Sequence, residues 1–490
     1  MSELQKKSGE VAIALTDNVH KEREPEFRAG TLTYSRSGLA VLFGWLLWGD
    51  FCLVLMEALP NVLPLKFKSL GASATLISVI LTGIPSLVLL SWNPIISTWS
   101  DRYRGKRGRR IPFILGGAPF MAMILIGIGF CDSLGRALTN LSGGIIAVVP
   151  ATIVVLVLLI LLFHMCNAFV LQYGTLFNDT VPREVIGRFS MLLRVISTSA
   201  ILAYNFFVFP HAETHHREIF IGIGIFFALA YLLMGLNVKE GDYPPPTPLG
   251  RATDGWLMKV KGYFRECFGH RFYWYLSMFA ALNVVGGTAI PFILLMNKSL
   301  GLDLKQIGWI SGYAALITLP VVFLTGLFID RCNVVKLLFY GRIAQTLITA
   351  GFMVFLFVEM SVRQVLIVTV ALNLALQVVT AVMIVALAPA NMFLLPRERF
   401  GQFSSAISVV VGVAGIIGSV LIGIFIDFMR YVHHGSDFAY RYAPLWMCVF
   451  WGLSGYCQYR VYCHVRDTHG NDLRTFIPPD TSMTKDGVVP

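Results

Sequence analysis

Pro182-Arg183-Glu184-Val185-Ile186-Gly187-Arg188-Phe189-Ser190 and Pro396-Arg397-Glu398-Arg399-Phe400-Gly401-Gln402-Phe403-Ser404 are one phrase written twice, P-R-E-x-x-G-x-F-S. The first follows the fourth long apolar run of the chain, the second the tenth. A second echo keeps the same phase: Asp101-Arg102 follows the second run and Asp330-Arg331 follows the eighth. Two matched motifs at matched places make the halves of the chain repeats of each other. Membrane transporters are commonly built from such repeats, with the ligand site between them near the midplane.

The runs themselves fall at roughly 38–59, 74–99, 112–130, 143–170, 190–210, 218–237, 272–296, 306–329, 335–358, 364–390, 404–429 and 442–463. Each is close to the ~20 residues that cross a hydrocarbon core. A segment in lipid must satisfy its own backbone groups, so each is expected to be a helix. Of the 490 residues, 56% are hydrophobic and 14% charged, against about 25% charged in a soluble domain. A soluble protein is excluded. The expected fold class is an all-α membrane protein with twelve transmembrane helices in two six-helix bundles. The expected divisions are a polar tail (1–37), a first bundle (38–237), a linker (238–271), a second bundle (272–464) and a second tail (465–490). The linker opens Lys239-Glu240-Gly241-Asp242-Tyr243-Pro244-Pro245-Pro246, which cannot continue a helix.

A net charge of +11 could suggest a nucleic-acid partner. Its distribution argues otherwise. Lys and Arg gather in the two tails, the linker and the loops between runs 2–3, 4–5, 8–9 and 10–11. The opposite loops carry few. By the positive-inside rule both termini are cytoplasmic. The first 37 residues are polar, with no secretory core, and are expected to be disordered; the first run serves as the insertion signal. The eight cysteines form no C-x-x-C pair, so buried thiols are expected rather than a metal site or disulfides. No phosphate-binding loop is present, no cofactor or metal is expected, and no catalytic constellation is read. Asn140-Leu141-Ser142 and Asn297-Lys298-Ser299 match the glycosylation sequon by what we read as chance.

The loop Ser100-Asp101-Arg102-Tyr103-Arg104-Gly105-Lys106-Arg107-Gly108-Arg109-Arg110-Ile111-Pro112-Phe113 resembles the loop 2–3 signature of the major facilitator superfamily, G-x-x-x-D-R-x-G-R-R. Ser97 stands where its first glycine is expected. The second-half echo, Gly326-x-x-x-Asp330-Arg331, keeps the glycine and lacks the basic run. The extended form with G-R-R-x-P-F is similar to the sucrose–proton symporters and the glycoside–pentoside–hexuronide cation symporters. Phe51-Cys52, Glu57 and Asp179-x-x-Pro182-x-x-x-x-Gly187 fit that branch. Gln172-Tyr173-Gly174-Thr175 departs from it, lacking the arginine of its Q-G-P-x-R-A segment. The resemblance implies the major facilitator fold and alternating access. It also implies a latch at the cytoplasmic gate, made by Asp101, Arg102, Arg109 and Arg110 in the first half and Asp330 and Arg331 in the second.

Ionisable groups within spans are costly and usually functional. Asp50 and Glu57 lie seven residues apart in run 1, on one face of a helix. A carboxyl in an apolar cavity favours its neutral form and can carry a proton. Arg194 is read as the one cation within a span, with Ser197, Thr198 and Asn205 on its face. Asp50, Glu57 and Arg194 are therefore the candidate proton-coupling set. His164, Asn167 and Gln172 in run 4, Asn205 in run 5, Asn283 in run 7, and Asn373 and Gln377 in run 10 are candidate substrate contacts, since amides both donate and accept. The small-residue series Gly412, Gly415, Gly418 reads as close helix packing.

The reading is a monomeric secondary transporter in the plasma or bacterial inner membrane. It moves a small polar solute, a sugar or glycoside, by symport coupled to protons or sodium. A facilitator or exporter of another organic solute, or a non-transporting sensor of the same fold, remains the alternative.

Overall fold

The computed structural model describes residues 27–243, 266–396, 399–469 and 478–479. Most of both tails, the middle of the linker, Arg397, Glu398 and the side chain of Asp330 lie outside the described residues. The first half holds α1 (Arg36–Ser69), α2 (Ala74–Arg102), α3 (Ile111–Gly129), α4 (Val148–Thr180), α5 (Arg183–His211) and α6 (His216–Asn237). The second holds α7 (Arg271–Ser299), α8 (Leu304–Phe328), α9 (Val334–Phe357), α10 (Val362–Leu394), α11 (Phe400–Val432) and α12 (Ala443–His469). The first eleven are long and apolar enough to cross a membrane. The last is long enough, and Gln458 and Arg460 make it less apolar.

Packing repeats with a period of six helices. In the first half α1 packs on α5 and α6, α2 on α4, and α3 on α4 and α6. In the second, α7 packs on α11 and α12, α8 on α10, and α9 on α10 and α12. The contacts between halves obey the same exchange: α2 meets α11, and α5 meets α8. This is the all-α architecture of two related six-helix bundles that the paired motifs imply.

Several spans are longer than the hydropathy alone suggests. α1 continues past Ala58 through a 3-10 turn at Leu59–Val62 and ends at Ser69. Pro60 and Pro64 sit in first-turn positions, where a missing N–H costs nothing. Lys66 and Lys68 are thus helical rather than loop residues. α4 runs on to Thr180, so Gln172 and Asp179 are helical too. The expected disorder of the first tail fails at residues 27–34, where β1 (Phe27–Ala29) and β2 (Leu32–Tyr34) form a hairpin. A short helix, Cys131–Leu141, follows α3.

Loops 2–3, 4–5, 8–9 and 10–11, the hairpin and the residues after α6 share one face, the terminal face. Loops 1–2, 3–4, 5–6, 7–8, 9–10 and 11–12 form the distal face. One apolar core fills the first half and crosses the distal seam to include Phe292, Leu295, Met296, Ile422 and Ile426. The terminal end of the second half has a separate core around Phe272, Leu276, Leu338, Met383 and Val461.

Candidate functional site

Loop 2–3 is built by charge. Gly105 and Gly108 pair backbone to backbone and close the turn. Gly108 has φ +99, and a Cβ there would collide with Glu240, so only glycine fits. Arg109 then lies against Asp179, donating from Nε at 3.1 Å and from Nη2 at 2.8 Å. Arg110 is buried, and its Nη1 donates to Gln172 Oε1 at 2.9 Å and Ser100 Oγ at 3.1 Å. Its Nη2 pairs closely with Asp101. Glu240, from the start of the linker, accepts from the backbone N–H groups of Arg109 (2.9 Å), Arg110 (2.8 Å) and Ile111 (2.6 Å). That carboxylate caps the start of α3, where N–H groups lack helical partners and the dipole is positive. Tyr243 lies 4.2 Å from the Arg109 guanidinium by its ring centroid. Burial alone would pull the Arg109 guanidinium down, but the hydrogen bond and charge of Asp179 hold it above its ordinary value. Burial, then Asp179 and Glu240, push the Tyr243 phenol up.

The partners described for Asp101, Arg109 and Arg110 lie in the first half and at the start of the linker. Asp101, Arg109 and Arg110 are brought together at the end of α2 and the start of α3. Gln172, expected as a substrate contact, is instead the acceptor beneath Arg110. Arg102 is half-buried and Arg331 exposed. Asp179 and Glu240 are the network residues missed as site candidates. Asp179 appeared only as part of a motif, and Glu240 only as linker composition.

The acids of α1 face α4 and α5. Asp50 is buried and accepts from Ser197 Oγ at 2.5 Å. Arg194, one turn before Ser197 on α5, is exposed but within electrostatic reach of Asp50. Glu57 accepts from Asn167 Nδ2 at 3.2 Å, and its side chain remains exposed. One turn before Asp50, the Tyr173 hydroxyl donates to the Leu46 carbonyl at 2.6 Å and fixes α4 on α1. His164 sits edge-on to Phe163. Asn205 and Asn373 donate to the carbonyls of Ile201 and Thr369 on their own helices. The Asn283 carbonyl accepts from Trp451 Nε1. Gln377 is half-buried on α10. Asp50, Glu57, Asn167, Ser197 and Arg194 therefore form one cluster, and the second-half amides do not join it in this state.

Arg194 is not the one cation within a span. Arg342 lies eight residues into α9, about 12 Å from its start at ~1.5 Å per residue, and is buried. Its Nη1 donates to Gln345 at 2.6 Å, and Phe279 and Trp451 flank it. It falls within the expected run 335–358, six residues after Lys336.

The distal seam is made differently. Asp427, near the end of α11, accepts from the N–H groups of Ala74 (2.8 Å) and Thr75 (2.9 Å) and from Thr75 Oγ1 (2.7 Å). It thus caps the first turn of α2 across the seam. Lys68 pairs with Asp437 at 2.5 Å and Lys298 with Glu213 at 3.1 Å, also across the seam. Gly412, Gly415 and Gly423 let α11 approach Leu90, Ser86 and Thr75 of α2, while Gly418 meets Val285 of α7. Gly308 and Gly312 do the same for α8 against Asn205 and Phe206 of α5. The glycine series is packing, as its spacing suggests.

These features define two six-helix bundles that meet along two seams, and comparison with known proteins gives the architecture a family. Residues 37–419 match the model of the Major Facilitator Superfamily, and the chain belongs to that family. The fold is similar to a mutant of the nucleoside transporter NupG (12% identity, TM-score 0.62, 86% of this chain and 100% of that one). It is likewise similar to a bacterial homologue of the human lysosomal transporter Spinster, inward-facing and unoccupied (15%, 0.60, 87% and 98%). A D-xylose-proton symporter is a third (13%, 0.59, 90% and 97%). A search of curated proteins finds no match. At these identities the likeness shows the fold.

Proposed function

We propose that this transporter moves a small polar solute, sugar-like in its hydroxyl chemistry, coupled to protons. The observation that carries the reading is the acid pair of α1. Asp50 is buried beside Ser197, and Glu57 is exposed beside Asn167. Two carboxyl groups two turns apart, with an exposed cation on α5, form a site whose charge can change as a proton arrives. Protonation removes the attraction of Arg194; deprotonation restores it and favours a different helix arrangement. The terminal face is the cytoplasmic one in this reading, since most basic loops lie there. The sealed distal seam and the separate terminal cores correspond to a cytoplasm-facing state. The protein acts as a monomer in the plasma or bacterial inner membrane. His164, Asn205, Asn283, Asn373 and Gln377 line the solute path, and Asp101, Arg102, Asp330 and Arg331 act at the cytoplasmic gate.

Proteoliposomes loaded with a pH-sensitive dye test this across solute classes. Monosaccharides, disaccharides and nucleosides are added in turn. A coupled solute acidifies the lumen as it enters. Glu57→Gln and Asp50→Asn are expected to abolish solute-driven proton entry and pH-driven accumulation, yet leave solute exchange at equal pH. Continued accumulation by both variants would remove α1 as the proton carrier.

A further inference from the structure

On the distal face, the end of α1, the Cys131–Leu141 helix and the α5–α6 turn enclose a cleft of about 590 Å³. Its charged wall residues are Lys66, Arg136, Arg217, Asp132, Glu213 and Glu218. They are not matched one to one. Lys66 holds Asp132 at 2.7 Å, and Lys298 across the seam holds Glu213 at 3.1 Å. Arg136 reaches only Ser133 Oγ, at 3.4 Å. Arg217 lies 4.1 Å over the ring of Phe130, which fixes its guanidinium plane. Among the described residues neither arginine has a carboxylate within 4.0 Å, and neither Asp132 nor Glu213 is free to serve.

α6 also begins in this cleft. Its N-cap is His215, and no side chain caps the first turn. His216, the first helical residue, keeps a buried Nε2 without a partner. Uncapped N–H groups at the positive end of a long helix, beside two unpaired guanidinium groups, are the chemistry that holds an oxyanion.

We propose that this cleft is a binding site for an oxyanion, a carboxylate or phosphate group held by Arg136, Arg217 and the first turn of α6. Its volume takes a small organic anion or the headgroup of an anionic lipid, which share this chemistry. Glu218 in the first turn is the one unpaired acid among the described wall residues and opposes binding. The site is separate from the α1 acids and stands whether or not transport is proton-coupled.

The test uses the full chain in nanodiscs of phosphatidylcholine, with glycerol phosphate as the probe. Phenylglyoxal modification of Arg136 and Arg217 is followed by mass spectrometry, with Arg331, exposed as they are but far from the cleft, as the control. Glycerol phosphate is expected to slow modification of both cleft arginines at least threefold and to leave Arg331 unchanged. Glu218→Gln lowers the probe concentration for half-protection about threefold, and Arg136→Gln raises it at Arg217 by about tenfold. Nanodiscs containing phosphatidylglycerol, without soluble probe, distinguish the sources: protection there assigns the site to a headgroup, and protection only by the probe assigns it to a soluble anion. No protection in either arm, or equal protection of Arg331, overturns the proposal.

Discussion

The two faces of this transporter hold their charges in opposite ways. Among the described residues, Asp101, Asp179 and Glu240 at the terminal face are turned onto Arg109, Arg110 and the start of α3, within the first half and the linker that follows it. At the distal face Asp427, Lys68 and Lys298 reach across from one half to the other. The difference shows what each is for. A network closed within one bundle keeps its partners when the bundles move, so it shapes a rigid body. Pairs that cross a seam must be made and broken with every change of state. They are few, exposed at their edges, and backed by glycines that give close contact without interlocking side chains. The core agrees, being continuous across the distal seam and divided at the terminal face.

The largest expected effect comes from blocking the seam. A Cβ at Gly423 would collide with the Thr75 backbone. Gly423→Val is therefore expected to hold the distal face open and reduce transport by at least tenfold. The protein should still insert, and thiol labelling of a cysteine at Ser86 should rise. Unchanged labelling would mean that α2 and α11 do not need this contact.

A smaller and different effect is expected within the rigid half. Asp179→Ala leaves Arg109 without its main partner and weakens the hold on Arg110. A fully buried broken pair costs about 3–5 kcal/mol; with partial exposure here about 2 kcal/mol is expected. Heating in detergent, followed by the fraction remaining monodisperse, reads it out. The comparison predicts lost stability with little change in the balance between states. A shift in that balance at normal stability would place Asp179 in a gate. At the bottom of the scale, Lys298→Ala breaks an exposed pair, worth about 0.2–1 kcal/mol, and should raise distal labelling less than fivefold.

The helices, their repeat and the acid pair were legible because apolar length, matched motifs and intramembrane charge are local properties. The boundaries were less so. Pro60 and Pro64 look like a stop, yet both occupy first-turn positions of continuing helix, which carries α1 to Ser69. Arg342 was legible, since it falls within the run 335–358, but it stands so close behind Lys336 that it was grouped with the loop cations. Gln172 was read by type, since an amide at the end of a span suits a solute; the continuation of α4 to Thr180 puts it beneath Arg110. Glu240 and Asp427 gave no signal at all. Each caps a helix that is distant in sequence, and only the fold brings them there.

A distal seam that opens and closes as the moving contact makes Asp427 its latch. Spin labels at Ser69 and Tyr431 report on the distal face, and labels at Lys106 and the native Cys332 on the terminal face, read by double electron–electron resonance in nanodiscs. With Asp427 intact, a short distal distance should dominate. Asp427→Ala removes three hydrogen bonds to α2, and a shift of about 1.4 kcal/mol would change the state ratio tenfold. The distal distance should then lengthen as the terminal distance shortens in the same proportion. Distances that stay fixed, or that lengthen together at both faces, would contradict the account.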